Sequence, residues 1–257
     1  MTAASRSIRI CHLYPELLNL YGDRGNVLCL VRRLAWRGIG CEVVGVGRDD
    51  TLHAADFDLI FIGGGQDAEQ SALMEDLRAT KAAELRAAAA DGCAILGICG
   101  GYQLLGHFYE TAAGERLEYL GICDFVTVAA PEHAKRLIGN LVFELPDGTR
   151  VVGFENHGGR TRLGEDALPL GRVVHGFGNN GEDGTEGVHV GNIFGTYAHG
   201  PALPKNPALA DAVLGAALER KYGSADLAPL DDVWEMRAHD AALREALAGP
   251  RRHDLWM

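Results

Sequence analysis

Two short segments of this chain are almost wholly apolar, and each of them runs directly into consecutive glycines. Residues 58–62 (DLIFI) precede Gly63-Gly64-Gly65, and residues 93–98 (CAILGI) precede Cys99-Gly100-Gly101. Strands that are apolar on both faces are typical of parallel sheets covered by helices on both sides. Further strands are predicted at 8–13 and 41–46, and helices at 26–37 and 70–90. This alternation predicts a doubly wound α/β sheet for the first half of the chain.

From residue 123 onward the pattern changes to strands joined by turn sequences. The segment 178–184 (GNNGEDG) is typical of a β-hairpin turn. Strands are predicted at 123–128, 137–145, 150–154, 173–177 and 187–197, and helices at 207–222, with Asn206 as N-cap, and at 231–247. We expect these strands to be antiparallel and to extend the same sheet, in a single domain over residues 1–257. The predicted fold class is therefore α/β, with a doubly wound, mostly parallel sheet, helices on both faces and an antiparallel extension.

Charge and composition exclude several classes of function. The formal charge is −11, from 24 basic and 35 acidic residues, and no basic patch offsets it. Such a surface repels phosphate backbones and anionic lipid, so we expect neither nucleic-acid binding nor membrane insertion. Neither a secretory signal nor an apolar run long enough to span a bilayer is recognisable, and we therefore expect a cytoplasmic protein. The six cysteines form no CxxC pair and the histidines no HExxH motif, so we expect no disulfide framework, metal or cofactor.

The segment Gly97-Ile98-Cys99-Gly100-Gly101 has the pattern of a nucleophile elbow between a buried strand and a helix. Glycines on both sides of the nucleophile allow the backbone to make the tight turn. A thiol at the start of a helix is favoured as thiolate by unpaired N–H groups. The Gly100 N–H is placed to bind an oxyanion, and Gly64 or Gly65 could supply a second donor from the neighbouring strand end. The bland alternative is a glycine-lined turn around a buried cysteine.

A nucleophilic thiol needs a general base, and two histidines compete for that role. His199, in GTYAHGP, and His157, in FENHGG, both follow predicted strands and lie beside glycines. His107 is predicted on the helix after the elbow, where a core or surface position is the expected one. The residues alone leave the choice between His199 and His157 to the geometry of the fold.

Together, GGGQD after an apolar strand, LGICGGYQLLG and the distal GTYAHGP resemble class I, triad-type glutamine amidotransferases, in the branch that includes the cobyric acid synthases. Within that branch YGDRGN, FENHGGRTRL and GFGNNGEDGTEG are similar to the GatD-type glutaminase subunits of lipid II isoglutaminyl synthase. The resemblance covers about residues 8 to 222. It implies glutamine amidotransferase activity with L-glutamine as substrate.

The resemblance also implies roles for individual residues. Cys99 matches the nucleophile, His199 the general base and Arg136 a substrate-binding arginine, whose guanidinium would suit the α-carboxylate of glutamine. Many relatives have an acid two residues after the histidine, but here that position is Pro201. The resemblance implies that a Mur-ligase-like (MurT-like) ATP-dependent subunit donates the third triad acid in trans. We therefore expect low glutaminase activity from the chain alone.

The chain has no P-loop, so the ATP-dependent half of an amidation must be supplied by another polypeptide, and we expect a heterodimer. The resemblance implies that the partner amidates D-glutamate of lipid II to D-isoglutamine, in peptidoglycan synthesis. Alternatives are a glutaminase subunit of a cobyrinate-type amidase, a catalytically silent scaffold of a ligase, and a stand-alone cysteine hydrolase. The segment 21–26 (YGDRGN) is either a turn with an N-cap at Asp23 or Asn26, or part of a subunit interface or ammonia route.

Overall fold

The two apolar segments form neighbouring central strands of a parallel sheet. A computed structural model of the chain describes residues 6–65, 67–131 and 133–249. Its six-stranded sheet consists, in spatial order, of β13 (Val188–Val190), β14 (Ile193–Thr196), β4 (Ala94–Ile98), β3 (Leu59–Ile62), β1 (Ser7–Leu13) and β2 (Gly40–Val46). Only β13 runs antiparallel to its neighbour. Every residue of β3 and β4 is buried, because helices cover both faces.

Most helices lie close to their predicted positions, but the one after the elbow is much shorter and the four-residue α5 was not predicted. They are α1 (Arg24–Trp36), α2 (Asp67–Asp76), α3 (Ala82–Ala90), α4 (Gly100–Gln103), α5 (Ala202–Lys205), α6 (Pro207–Tyr222) and α7 (Val233–Ala248). The single helix predicted at 70–90 is interrupted by one π-helical turn at Leu77–Lys81, which separates α2 from α3. Asn206 lies at the predicted N-cap position of α6, but its side-chain amide is hydrogen-bonded to the backbone of Val152. The position was therefore predicted correctly, and the expected capping bond is not made.

The expectation that the antiparallel section extends the parallel sheet was wrong for most of its strands. One further sheet has the order β10 (Gly159–Leu163), β7 (Phe125–Ala129), β5 (Phe108–Glu110) and β6 (Arg116–Glu118); the other has β12 (Thr185–Glu186), β11 (Gly171–His175), β8 (Leu137–Glu144) and β9 (Arg150–His157). The strands β8 and β9 pair with each other along their whole length as a hairpin. Their backbone hydrogen bonds on this side are therefore satisfied without pairing to the parallel sheet. The predicted hairpin turn does join β11 to β12, while residues 187–197 form a second hairpin, β13–β14.

The helix predicted after the elbow is much shorter than expected. It ends at Gln103, and the chain then turns at Gly106 to enter β5. A Cβ on Gly106 would lie 2.4 Å from the Phe125 ring, so β7 packs directly on this turn. His107 therefore lies outside the helix, at the surface, with Nε2 3.1 Å from Asp124 Oδ1. Residues 109 and 110 pair with β7 as a strand, although the local sequence pattern is helical.

Neighbouring parallel strands end at one edge of the main sheet and define where a site can form. Ile62, Ile98 and Thr196 are the last residues of β3, β4 and β14, and they are in or next to register. The glycine loop, Cys99 and the segment leading to His199 therefore leave the sheet side by side. In the described part of the chain, none of the helices is long and apolar enough to cross a membrane.

Candidate active site

Cys99 occupies a strained turn between β4 and the short helix α4. Its backbone has φ 48° and ψ −104°, a region that residues with a side chain rarely adopt. A Cβ on Gly101 would lie 2.2 Å from the Ile62 carbonyl oxygen, so only glycine allows the elbow to pass this close to β3. The predicted elbow geometry is therefore present, and Cys99 is 5% exposed. Since α4 is a single turn, its dipole is smaller than the predicted helix would have supplied.

His199 enters the site from the other side. An isolated antiparallel bridge to Phe154 holds its backbone, with the His199 N–H donating to the Phe154 carbonyl at 2.7 Å. The ring is fully buried, and neither ring nitrogen has a hydrogen-bond partner among residues 6–65, 67–131 and 133–249. Burial, with a smaller contribution from nearby His157, lowers the pKa of His199 to about 3. The imidazole is consequently neutral at physiological pH and can accept a proton.

Gly64 lies between the two candidate catalytic side chains. A Cβ built on Gly64 would lie 2.9 Å from His199 Cε1 and 3.5 Å from Cys99 Cβ. The same position would lie 3.0 Å from Asp23 Oδ2. Cys99, the His199 imidazole and the glycine loop thus lie next to one another at Gly64, as a Cys–His acyl-transfer site requires.

Asp23 is the site residue that sequence reasoning missed. Its carboxylate does not cap α1; Oδ2 instead accepts a hydrogen bond from the Gly64 N–H at 2.6 Å. Asp23 does occupy the predicted N-cap position of α1, but its side chain makes no capping bond, and the Gly64 amide predicted as an oxyanion donor is engaged by that side chain. Burial raises the pKa of Asp23 to about 7. A signal was available, because YGDRGN follows β1, whose carboxyl end lies at the same sheet edge.

His157, the other candidate general base, is buried and fixed by its neighbours. Its ring stacks on Tyr197 with centroids 3.6 Å apart and an interplanar angle of 4°. Its Nδ1 donates to the Gly159 carbonyl at 2.8 Å. Burial lowers the pKa of His157 to about 3. These contacts fix the imidazole in the core, whereas His199 is the histidine in contact with the space at Gly64.

Arg136 is exposed and is joined by hydrogen bonds to Tyr21, a residue in ring contact with His199. Its Nε donates to Asn156 Oδ1 at 2.9 Å, and Asn156 Nδ2 donates to the Tyr21 hydroxyl at 2.6 Å. The Tyr21 ring lies edge-on to His199 with centroids 5.0 Å apart. Tyr21 also has a strained backbone, with φ 55°. The candidate substrate arginine is thus linked to the His199 ring through the side chains of Asn156 and Tyr21.

Comparison with known proteins identifies the family. The model of the CobB/CobQ-like glutamine amidotransferase domain matches residues 9–207. The chain belongs to this family. It is 41% identical to the GatD subunit of lipid II isoglutaminyl synthase (glutamine-hydrolyzing) of Staphylococcus aureus strain N315, over 93% of this chain and 96% of that one. It is 43% identical to the same-named subunit of Streptococcus pneumoniae strain R6, over 84% of this chain and 82% of that one.

Solved structures agree on the architecture. A crystal structure of a glutamine amidotransferase superposes with a TM-score of 0.56 at 18% sequence identity, covering 80% of this chain and 98% of the other. At this identity the likeness shows the fold alone. The likeness thus supports the α/β fold, while the family match and the GatD relatives identify the chain as a glutamine amidotransferase. Cys99 and His199 lie at the sheet edge where the parallel strands β3, β4 and β14 end.

Proposed function

We propose that this protein is a glutaminase subunit that hydrolyses L-glutamine and supplies ammonia to a Mur-ligase-like, ATP-dependent subunit. The partner would amidate D-glutamate of lipid II to D-isoglutamine in the cytoplasm, as a step of peptidoglycan synthesis. The observation that carries the proposal is the convergence of Cys99, on its strained turn, and neutral His199 on Gly64. Similarity to the two GatD subunits supports the acceptor and the class of partner.

In the proposed reaction, His199 takes the thiol proton of Cys99 as Sγ attacks the side-chain amide carbon of glutamine. The carbonyl oxygen becomes an oxyanion, stabilised by backbone N–H groups of Gly100 and of Gly64 or Gly65. The imidazolium then protonates the leaving nitrogen, the C–N bond breaks, and ammonia leaves a γ-glutamyl thioester. Water attacks the thioester with His199 as base, which releases glutamate and restores the thiol. Because the Gly64 amide is bound to Asp23, its use as a donor requires that bond to open or be shared.

Arg136 is proposed to bind the α-carboxylate of glutamine. Its guanidinium is exposed, and a carboxylate can accept two parallel hydrogen bonds from it. The Asn156 side chain fixes the guanidinium orientation. This arrangement would hold the amino-acid end at Arg136 while the side-chain amide extends toward Cys99.

The proposed partner completes the triad. Pro201 occupies the position of the usual acid, and no described residue bonds either His199 ring nitrogen. An acid donated in trans would orient the imidazole and stabilise its charged form, which burial disfavours in the isolated chain. The heterodimer is therefore expected to be much more active than this subunit alone.

The test is ammonia release from L-glutamine by the purified chain, with and without a MurT-like partner, and with Cys99→Ala beside it. We expect weak activity alone, a rise of about tenfold or more with the partner, and none in Cys99→Ala. Turnover with the partner at the Cys99→Ala background would overturn the proposal and favour a silent scaffold. Activation by a cobyrinate-type ligase instead would reassign the acceptor, and hydrolysis of esters without glutamine would indicate a stand-alone hydrolase.

A further inference from the structure

The glycine loop that faces Cys99 is held by the turn that follows β1. The Leu20 N–H donates to the Gly64 carbonyl at 3.1 Å, and the Gly64 N–H donates to Asp23 Oδ2 at 2.6 Å. From the elbow, the Gly101 N–H donates to the Gly63 carbonyl at 3.1 Å. The peptide unit between Gly63 and Gly64 is therefore bound at both its carbonyl and its amide, and Asp23 is its only side-chain partner among these contacts.

Asp23 is itself placed rigidly. The side chain is fully buried at the start of α1, and Asn26 Nδ2 lies 3.3 Å from Oδ1. The amide of Asn26 is oriented in turn, because its Oδ1 accepts the Leu203 N–H at 2.9 Å. A Cβ on Gly25 would lie 2.4 Å from the Pro201 ring, so the first turn of α1 packs against the segment that carries His199. One short region thus contacts the glycine loop and the histidine segment together.

A buried carboxylate is a costly way to satisfy one backbone amide. Asp23 has no ion pair among the described residues and is more easily protonated than an ordinary aspartate because of burial. A residue that only began a helix would remain at the surface and bond the helix amides. Asp23 instead places its charge-assisted hydrogen bond on the peptide next to Cys99 and His199.

We propose that Asp23 is a positioning residue of the glutaminase reaction. By binding the Gly64 N–H it fixes the orientation of the loop at 63–65, and thereby the direction of the next amide in the loop, the Gly65 N–H, which is the proposed loop donor to the oxyanion while the Gly64–Asp23 bond is closed. This inference rests on the proposed function. Its physical reason is that an oxyanion donor acts only when it is preorganised, because reorienting a peptide during the reaction costs the stabilisation it would give.

The test compares Asp23→Ala with Asp23→Asn in the complex with the ligase subunit. Alanine removes the acceptor, whereas the asparagine oxygen can still accept the Gly64 N–H without charge, and only the longer contact from Asn26 Nδ2 to Oδ1 at 3.3 Å is given up. We expect Asp23→Ala to lower kcat by about tenfold or more with KM for glutamine within about twofold. We expect Asp23→Asn to restore kcat to within about fivefold of the unchanged protein.

Two further measurements separate positioning from damage to the fold. Alkylation of Cys99 by iodoacetamide, followed on its peptide by mass spectrometry, passes through no oxyanion, so we expect Asp23→Ala to alkylate within about twofold of the unchanged protein. In a protein labelled with ¹⁵N-glycine, the Gly64 amide proton should lie downfield in the unchanged protein and in Asp23→Asn, and move upfield in Asp23→Ala.

Each other result has a definite meaning. Equal loss of kcat in both variants would show that the charge of Asp23 matters and its hold on Gly64 does not, which overturns the inference. Slowed alkylation together with lost turnover would show a structural defect and would also overturn it. If the unchanged complex released no ammonia above Cys99→Ala, the proposed function would fail and so would the reaction that Asp23 serves, even with the Gly64 shift intact.

Discussion

Gly64→Ala is the most direct perturbation of the geometry at this site. The new methyl group would lie 2.9 Å from His199 Cε1 and 3.0 Å from Asp23 Oδ2, both of them side-chain atoms. Gly64 itself has an ordinary backbone conformation, so alanine adds no backbone strain. The protein should therefore fold, and the overlap should be relieved by movement of the candidate catalytic side chains.

The size of the effect follows from these distances. Ordinary van der Waals contact begins at 3.4 Å, so His199 must retreat by about 0.5 Å from its 2.9 Å position. Displacement of a reacting group by about 1 Å costs about a hundredfold in rate, so half of that costs about tenfold, or about 1.4 kcal/mol in the barrier. The methyl group also fills space next to Cys99 that the tetrahedral intermediate would use, so about tenfold is a lower bound for the loss of kcat.

The assay is ammonia release by the complex, with thermal unfolding measured on the same samples. Gly215→Ala is the matched control: the same change on α6, where the nearest atom to the new Cβ would be 3.6 Å away. We expect this control to keep its activity and to gain up to about 1 kcal/mol of stability, as alanine does in helices. Turnover of Gly64→Ala equal to that of the unchanged protein would refute the convergence of the three groups on Gly64.

Three further predictions concern binding and pH. Arg136→Ala should raise KM for glutamine by about tenfold or more, since a charge-assisted contact is lost, while Arg136→Lys recovers only part of it; an unchanged KM would remove Arg136 from the binding site. Tyr21→Phe removes the acceptor for Asn156 and should raise KM by about threefold with kcat retained, and a fall in kcat alone would contradict this. Burial raises the pKa of Asp23 from 3.8 to about 7, so its contribution to stability is full below about pH 3.8 and is lost as the pH rises through about 7. The Tm of Asp23→Asn should therefore rise relative to that of the unchanged protein between about pH 4 and about pH 8. A difference in Tm that stays constant over this range would contradict the raised pKa.

The parallel sheet and the elbow could be predicted from the sequence because their signals are local. Apolar strands that run into glycines read as central strands, and both β3 and β4 are wholly buried. The resemblance to glutamine amidotransferases rested on residues contiguous in the chain, and the family match confirms it. The roles of Cys99, His199 and Arg136 stay predictions, although the structure brings the first two together at Gly64.

Local pattern was misleading where tertiary pairing competes with it. The residues after Cys99 repeat at helical spacing, yet the chain leaves the helix at Gln103, because β7 offers backbone partners to Tyr109 and Glu110. The strands of the middle section had the expected antiparallel pattern, but hairpin pairing satisfied them in separate sheets. Sequence periodicity specifies which face of a strand is apolar and leaves its neighbour undetermined.

What the sequence by itself determined is the parallel strands that end at the site, the tight turn that carries the cysteine, and the family. What only the tertiary structure decided is how residues far apart in the chain share one space. From sequence, Asp23 was interpreted as a helix cap. In the folded chain its carboxylate accepts a hydrogen bond from the Gly64 amide, 41 residues away in the sequence. The choice of His199 over His157 on geometry had the same origin. Both follow strands, but His157 is stacked on Tyr197, while His199, bridged to Phe154, lies next to Gly64. Such pairings depend on distances across the sheet edge, and hydrophobic spacing along a chain carries no information about them.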